Sequence, residues 1–169
     1  MNDFKNQSVT IKKMETEDEI KGKAFVHWKS WHETYTGIIN QNYLDDFTLE
    51  KCENIASQWT KNIFVAKDKD QVVGFVGYGK YHNDELENAG EVYSIYILSE
   101  YYAQGIGYRL MQSALLELSE YDKIAVWVLK ENERTVEFYK KCGFTFDGCE
   151  QEINLGSVLV KRRMILEKS

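Results

Sequence analysis

Glu91–Leu118, EVYSIYILSEYYAQGIGYRLMQSALLEL, is the stretch from which the rest of the chain can be read. Tyr93, Ile95 and Ile97 alternate with Ser94 and Tyr96, and the run is rich in β-branched and aromatic residues. This predicts a strand in the middle of a sheet. Gly105 and Gly107 stand where a helix should begin, and Ile106, Leu110, Met111, Ala114, Leu115 and Leu118 then recur at helical spacing. Such a turn presents unpaired backbone N–H groups at the positive end of a helix dipole. It is an anion site suited to phosphate. The dinucleotide fingerprint needs a third glycine where Leu110 stands, and no Gly-Lys-Ser/Thr follows, so nucleotide loops of both kinds fit poorly. Taken alone, the glycine pair reads equally well as a structural turn.

The residues downstream narrow the choice. A second strand, Lys123–Leu129, leads into Asn132-Glu133-Arg134-Thr135-Val136-Glu137-Phe138-Tyr139-Lys140-Lys141-Cys142-Gly143-Phe144. Strand, phosphate turn, helix, strand and Asn-x-x-Thr-x-x-Phe-Tyr-x-x-x-Gly-Phe resembles the GNAT family of N-acetyltransferases over Glu91–Phe144. The family turn usually reads Arg/Gln-x-x-Gly-x-Gly/Ala. Tyr102 departs from its first position, which affects one side-chain contact and not the backbone cradle.

The resemblance implies a single α/β domain over residues 1–169, with a mixed, mostly antiparallel central sheet flanked by helices. It implies acetyl-CoA as cosubstrate and acetyl transfer to a primary amine. The pyrophosphate would lie on the N–H groups of the Ala103, Gln104, Gly105, Ile106, Gly107, Tyr108 turn, where glycines leave room. The pantetheine arm would pair along Ile95, Tyr96 and Ile97, whose backbone N–H groups could also stabilise an oxyanion. Tyr139 occupies the general-acid position, since a phenol is protonated at pH 7. The alternative is a packing tyrosine. Asn132 either contacts the CoA arm or caps its helix. Glu91 is the general-base candidate. It lies four residues before Ile95 and, by simple alternation, on the same face; a solvated strand-start glutamate is the alternative, and Glu33 is the reserve. Arg109 or another nearby cation would assist the phosphates, unless it is a solvated surface charge.

A chain of 169 residues with 43% hydrophobic content is one soluble domain. The net charge of −6 argues against nucleic-acid binding. No apolar run approaches a membrane span, and MNDFKNQSVTIKK lacks the apolar core of a secretory signal. Cys52, Cys142 and Cys149 match no metal spacing and cannot all pair, so a reducing cytoplasm and no metal are expected. Cys142 has no neighbouring His in sequence and reads as a small buried residue rather than a nucleophile.

Along the chain, Ser8–Met14 reads as an edge strand, and Asp18 as the cap of a helix reaching about Tyr35. That helix carries Trp28, Trp31 and Tyr35. These residues either pack the core or form an acceptor wall, as the resemblance of Trp31-His32-Glu33-Thr34-Tyr35-Thr36-Gly37 to a subgroup of the family implies. His27 and His32 read as ordinary surface or capping residues before proton relays. Asn40–Asp46 is a short helical turn, and Thr48 caps a helix reaching about Trp59. Strands Asn62–Lys67 and Val72–Tyr81 form a hairpin, with Gly74, Gly77 and Gly79 marking a bulge or a close approach. Asp84, Glu85 and Glu87 form a solvated loop or attract an ammonium group. Phe144–Glu150 and Ser157–Leu166 close the sheet. The expected acceptor is a small amine, polyamine or amino-acid-like molecule. A peptide N-terminus or protein lysine is another acceptor, and a non-catalytic acyl-CoA sensor another function. Homodimers are common in the family, but no interface signature is visible here.

Overall fold

The computed structural model describes residues 8–168; residues 1–7, which hold the first part of MNDFKNQSVTIKK, and residue 169 lie outside them. The elements run β1 (Val9–Lys13), α1 (Glu17–Tyr35), α2 (Gln41–Asp46), α3 (Leu49–Gln58), β2 (Ile63–Asp68), β3 (Gln71–Lys80), β4 (Ala89–Ile97), a 3₁₀ turn (Ser99–Tyr101), α4 (Ile106–Glu117), β5 (Lys123–Leu129), α5 (Glu133–Lys141), β6 (Thr145–Asn154) and β7 (Val158–Glu167). The strands form one seven-stranded sheet in the order β1-β2-β3-β4-β5-β7-β6. Only β4 and β5 are parallel; all other pairs are antiparallel. This is the mixed α/β architecture expected. β6 extends past the expected Glu150 to Asn154. Between Phe146 and Glu150 it bulges, with Gly148 at φ 87°, and the strand then resumes pairing with β7.

α1 is capped two residues before the expected position. Thr16, not Asp18, caps it: the Thr16 side chain accepts from the Glu19 amide, and the Glu19 carboxylate accepts from the Thr16 amide. This reciprocal box satisfies two orphan donors at once. Glu19 also accepts from the Glu15 amide and from the ammonium groups of Lys12 (2.7 Å) and Lys67 (3.1 Å). Burial opposes its charge, but these donors outweigh burial and hold the carboxyl far below the usual carboxylate range. A depressed folded pKa means that the stabilisation is complete above the unfolded value of roughly 4.3 and is lost as pH falls through the folded value. Glu19→Gln is therefore expected to lower stability at pH 7 by about 1–2 kcal/mol. It should also flatten the acid side of the stability profile, measured by urea melts from pH 7 to pH 2. An unchanged acid slope would show that Glu19 is not a source of it.

The strand register matters most at β4. Ser94 pairs with Gly77 and Val92 with Tyr78, so Tyr93 has no partner on β3. This one-residue bulge reverses the alternation. Ile97 faces α4, where a Cβ on Gly107 would meet its Cδ1 at 3.1 Å; Gly90 also faces that side, against Leu118 and Tyr121. Tyr96 faces α1, stacked on His27 at 5.8 Å. Glu91 therefore shares the α1 face with Tyr96, not the face of Ile95 and Ile97 as simple alternation implied. α1, α2 and α3 lie on that face of the sheet, and α4 and α5 on the other.

Candidate active site

β4 and β5 pair only from Ala89↔Lys123 to Glu91↔Ala125 and then part. Beyond Glu91, the β5-facing edge of β4 has no strand partner, and its main-chain groups are available to a ligand. A cleft of about 1160 Å³ occupies the opening, lined by Tyr93–Ile97 on one side and Trp127–Leu129 on the other. It reaches the Ala103–Tyr108 turn towards α4, and Trp31, Tyr35 and Ile38 towards α1.

The turn has the backbone its glycines suggest. Gly105 caps α4 at φ 78°, in the left-handed region, and Ala103 is also left-handed at φ 59°. The first turn of α4 carries no acidic residue and no side-chain cap, so its amides remain free for an anion. Arg109 turns away: its guanidinium donates to the Val9 carbonyl at 2.9 Å and ties α4 to β1. Another cation stands at the turn. The Arg134 guanidinium stacks 3.3 Å from the centre of the Tyr102 ring, and both residues line the cleft. Arg134 has no carboxylate partner among the described residues. The tyrosine that replaces the family's usual Arg/Gln thus holds an arginine brought from α5.

Tyr139 is 5% exposed and lines the cleft, packed against Phe138 and Phe144. Burial, then the nearby Tyr35 and Cys142, pushes its phenol well above the usual tyrosine value. Two further phenols adjoin it. The Trp31 indole donates to the Tyr96 oxygen at 3.1 Å, and the Tyr35 and Tyr96 hydroxyls are 3.1 Å apart. Burial raises both of these as well. Asn132 is buried and caps α5 through its bond from the Thr135 amide, and it lies beside Tyr35, where it opposes the upward pull of burial on that phenol.

Of the proposed bases, Glu91 is 6% exposed and lies beside, not on, the cleft lining. Its carboxylate accepts from the His82 Nδ1 at 2.7 Å and the His82 amide at 3.3 Å. A carboxylate can only accept, so Nδ1 carries a proton, and in the neutral ring Nε2 is then the acceptor. Glu33 lines the cleft but accepts from the Ser99 amide and hydroxyl. Trp31 and Tyr35 form part of the wall. Trp28 does not: it packs on Ala24, Cys52 and Ala56 between α1 and α3. His27 is enclosed by Trp31, Phe47, Phe75 and Tyr96, and burial pushes its imidazole down to about 3, so it is neutral in use. Arg134, Trp127 and Lys161 escaped the sequence reading because each meets a partner about thirty residues away; His82 escaped it because its bond to Glu91 depends on how the β3–β4 connection folds back. The described residues hold no cluster of three or more metal-ligating side chains, and no helix among them is long and apolar enough to cross a membrane.

A phosphate-type turn beside a split pair of parallel strands suits a long, phosphate-headed ligand such as an acyl thioester, laid along the open edge. The acetyltransferase (GNAT) family model matches residues 26–144, and the chain belongs to that family. It is an acyltransferase that uses acetyl-CoA for N-acetylation. An uncharacterized N-acetyltransferase, YuaI, of Bacillus subtilis (strain 168) is 35% identical over 136 residues, covering 78% of each chain. PH1933 from Pyrococcus horikoshii OT3 superposes with a TM-score of 0.73 at 23% identity, over 95% of this chain and 99% of its own. The PaiA N-acetyltransferase from Thermoplasma acidophilum, solved with coenzyme A, superposes with a TM-score of 0.71 at 23% identity over the same shares.

Proposed function

We propose that this acetyltransferase acetylates the primary amine of a small acceptor by direct attack on acetyl-CoA, in the reducing cytoplasm that its three unpaired cysteines suit. The observation that carries this reading is the through-sheet cleft, with a phosphate turn at one mouth and an aromatic wall at the other. The two reactants would enter from opposite faces and meet in the opening. Acetyl-CoA supplies the thioester. The Ala103–Tyr108 amides hold its diphosphate, and the unpaired edge of β4 holds the pantetheine arm and faces the charge that develops on the carbonyl oxygen.

The remaining steps are proton movements. An alkyl ammonium must lose a proton before it attacks. We assign that proton to the Glu91–His82 pair on the acceptor face, reached through water, with His82 Nε2 as the receiving atom and Glu91 holding the ring. Tyr139, kept protonated by burial, donates to the departing thiolate. Cys142 lines the same cleft, but burial raises its thiol, so it is a poor nucleophile and supports a one-step transfer.

Thiol release from acetyl-CoA, measured with a panel of amino acids, polyamines, aminoglycosides and short peptides, tests the reading. Stimulation by a small amine is expected, with a lower kcat for Glu91→Gln. Tight acetyl-CoA binding without turnover on any amine would replace the enzyme by a sensor.

Arg134 is proposed to pair with a CoA phosphate. Arg134→Ala should weaken CoA binding about tenfold, and dephospho-CoA less if the partner is the 3′-phosphate. Calorimetry with both ligands reads this out. Unchanged affinity for both would remove Arg134 from the site.

A further inference from the structure

Resting on the N-acetyltransferase reading above, we infer that the acceptor is an amine that also carries a carboxylate: an amino acid with an apolar or aromatic side chain, its carboxylate held by Lys161 over Trp127. Lys161 pairs with Leu129 across β5 and β7. Leu129 packs with Trp31, Tyr35 and Leu155, so this side chain belongs to the α1 face, opposite the phosphate turn. Lys161 lines the cleft, and its ammonium sits 4.7 Å from the centre of the Trp127 ring. It has no carboxylate or carbonyl partner among the described residues, although Arg163, its neighbour on the same face, is met by Asp147, Glu85 and Tyr81. Beneath it, the Trp127 indole N–H is buried without an acceptor. The wall near these two donors is built mostly from Trp31, Tyr35, Ile38, Leu129 and Leu155; of the carboxylates that also line the cleft there, Glu33 is held by Ser99 and Glu131 follows Leu129 at the end of β5. A donor pair on a mostly apolar wall suits an anionic group attached to an apolar body.

The same charge disfavours the polyamine alternative. A second ammonium on the acceptor would meet Lys161, and like charges at close range are costly in a partly closed cleft. The acidic loop does not offset this, because its Glu85 faces Arg163 at 3.6 Å.

The test compares kcat/KM for L-phenylalanine, L-leucine and L-methionine with their carboxamides and with spermidine, in the natural enzyme and in Lys161→Gln. Each free amino acid should exceed its amide by about tenfold to a hundredfold, as expected when a site built for a charged group loses its partner. In Lys161→Gln this ratio should collapse to within about threefold, and Lys161→Arg should restore part of it. Acetyl-CoA binding by calorimetry verifies that each variant is folded. Preference for the amides or spermidine in the natural enzyme overturns the inference and leaves N-acetylation standing, as does a ratio unmoved by Lys161→Gln. Failure of every amine to release CoA overturns both.

Discussion

Tyr139→Phe is expected to lower kcat about a hundredfold or more, with the KM for acetyl-CoA within about twofold of the natural value. The ring would keep its contacts with Phe138 and Phe144, at centroid distances of 5.7 and 5.8 Å, so the fold should survive. What is lost is one proton at the moment the C–S bond breaks. The environment favours that proton strongly: burial, Tyr35 and Cys142 all raise the phenol. Any fall in rate from ionising this group should therefore begin above the pH range of an ordinary tyrosine. Steady-state rates with a thiol-detecting reagent, from pH 6 to pH 10, give both results. Full activity in the Phe variant would reduce Tyr139 to a packing residue.

The second large effect lies at the turn. Gly105 holds φ 78°, and a β-branched residue there is strained by about 1–2 kcal/mol before any ligand is considered. Gly105→Val should weaken acetyl-CoA binding about tenfold or more, through distortion of the amide cradle and through crowding of the diphosphate. Gly105→Asn, which enters the left-handed region more readily, should lose less. Calorimetric titration of both variants separates conformation from bulk: equal losses would assign the effect to the side chain alone, and no loss in either would remove the diphosphate from this turn.

The backbone of the Gly105 turn and the place of Tyr139 on the cleft were legible because their signals are local. The Gly105–Gly107 turn and the Asn132-to-Tyr139 spacing each lie within a dozen residues, and one helix period converts such spacing into geometry. The Thr16–Glu19 box was equally local, but Asp18 masked it as a plausible cap. The placement of Glu91 was not legible. Alternation from Ile95 aims it at the wrong face, because the unpaired Tyr93 exists only relative to β3. The Arg134–Tyr102 stack joins residues 32 positions apart by their numbers, and Lys161 reaches Trp127 only because β5 and β7 are adjacent. Contacts of this kind come from topology, which propensity does not encode.

The single extra residue in β4 also bears on how such a protein diversifies. Above Tyr93 the strand's β5-facing edge is unpaired, and it is the edge proposed for the thioester; below it, Glu91 lies on the α1 face, the side proposed for the amine. One strand thus borders both mouths of a single cleft, with different residues facing each. On the proposed arrangement, substitutions at Trp127, Lys161 or Tyr93 would rewrite what enters from one side while the cradle on the other is inherited intact. A lineage built on this strand can change its customers without changing its supplier.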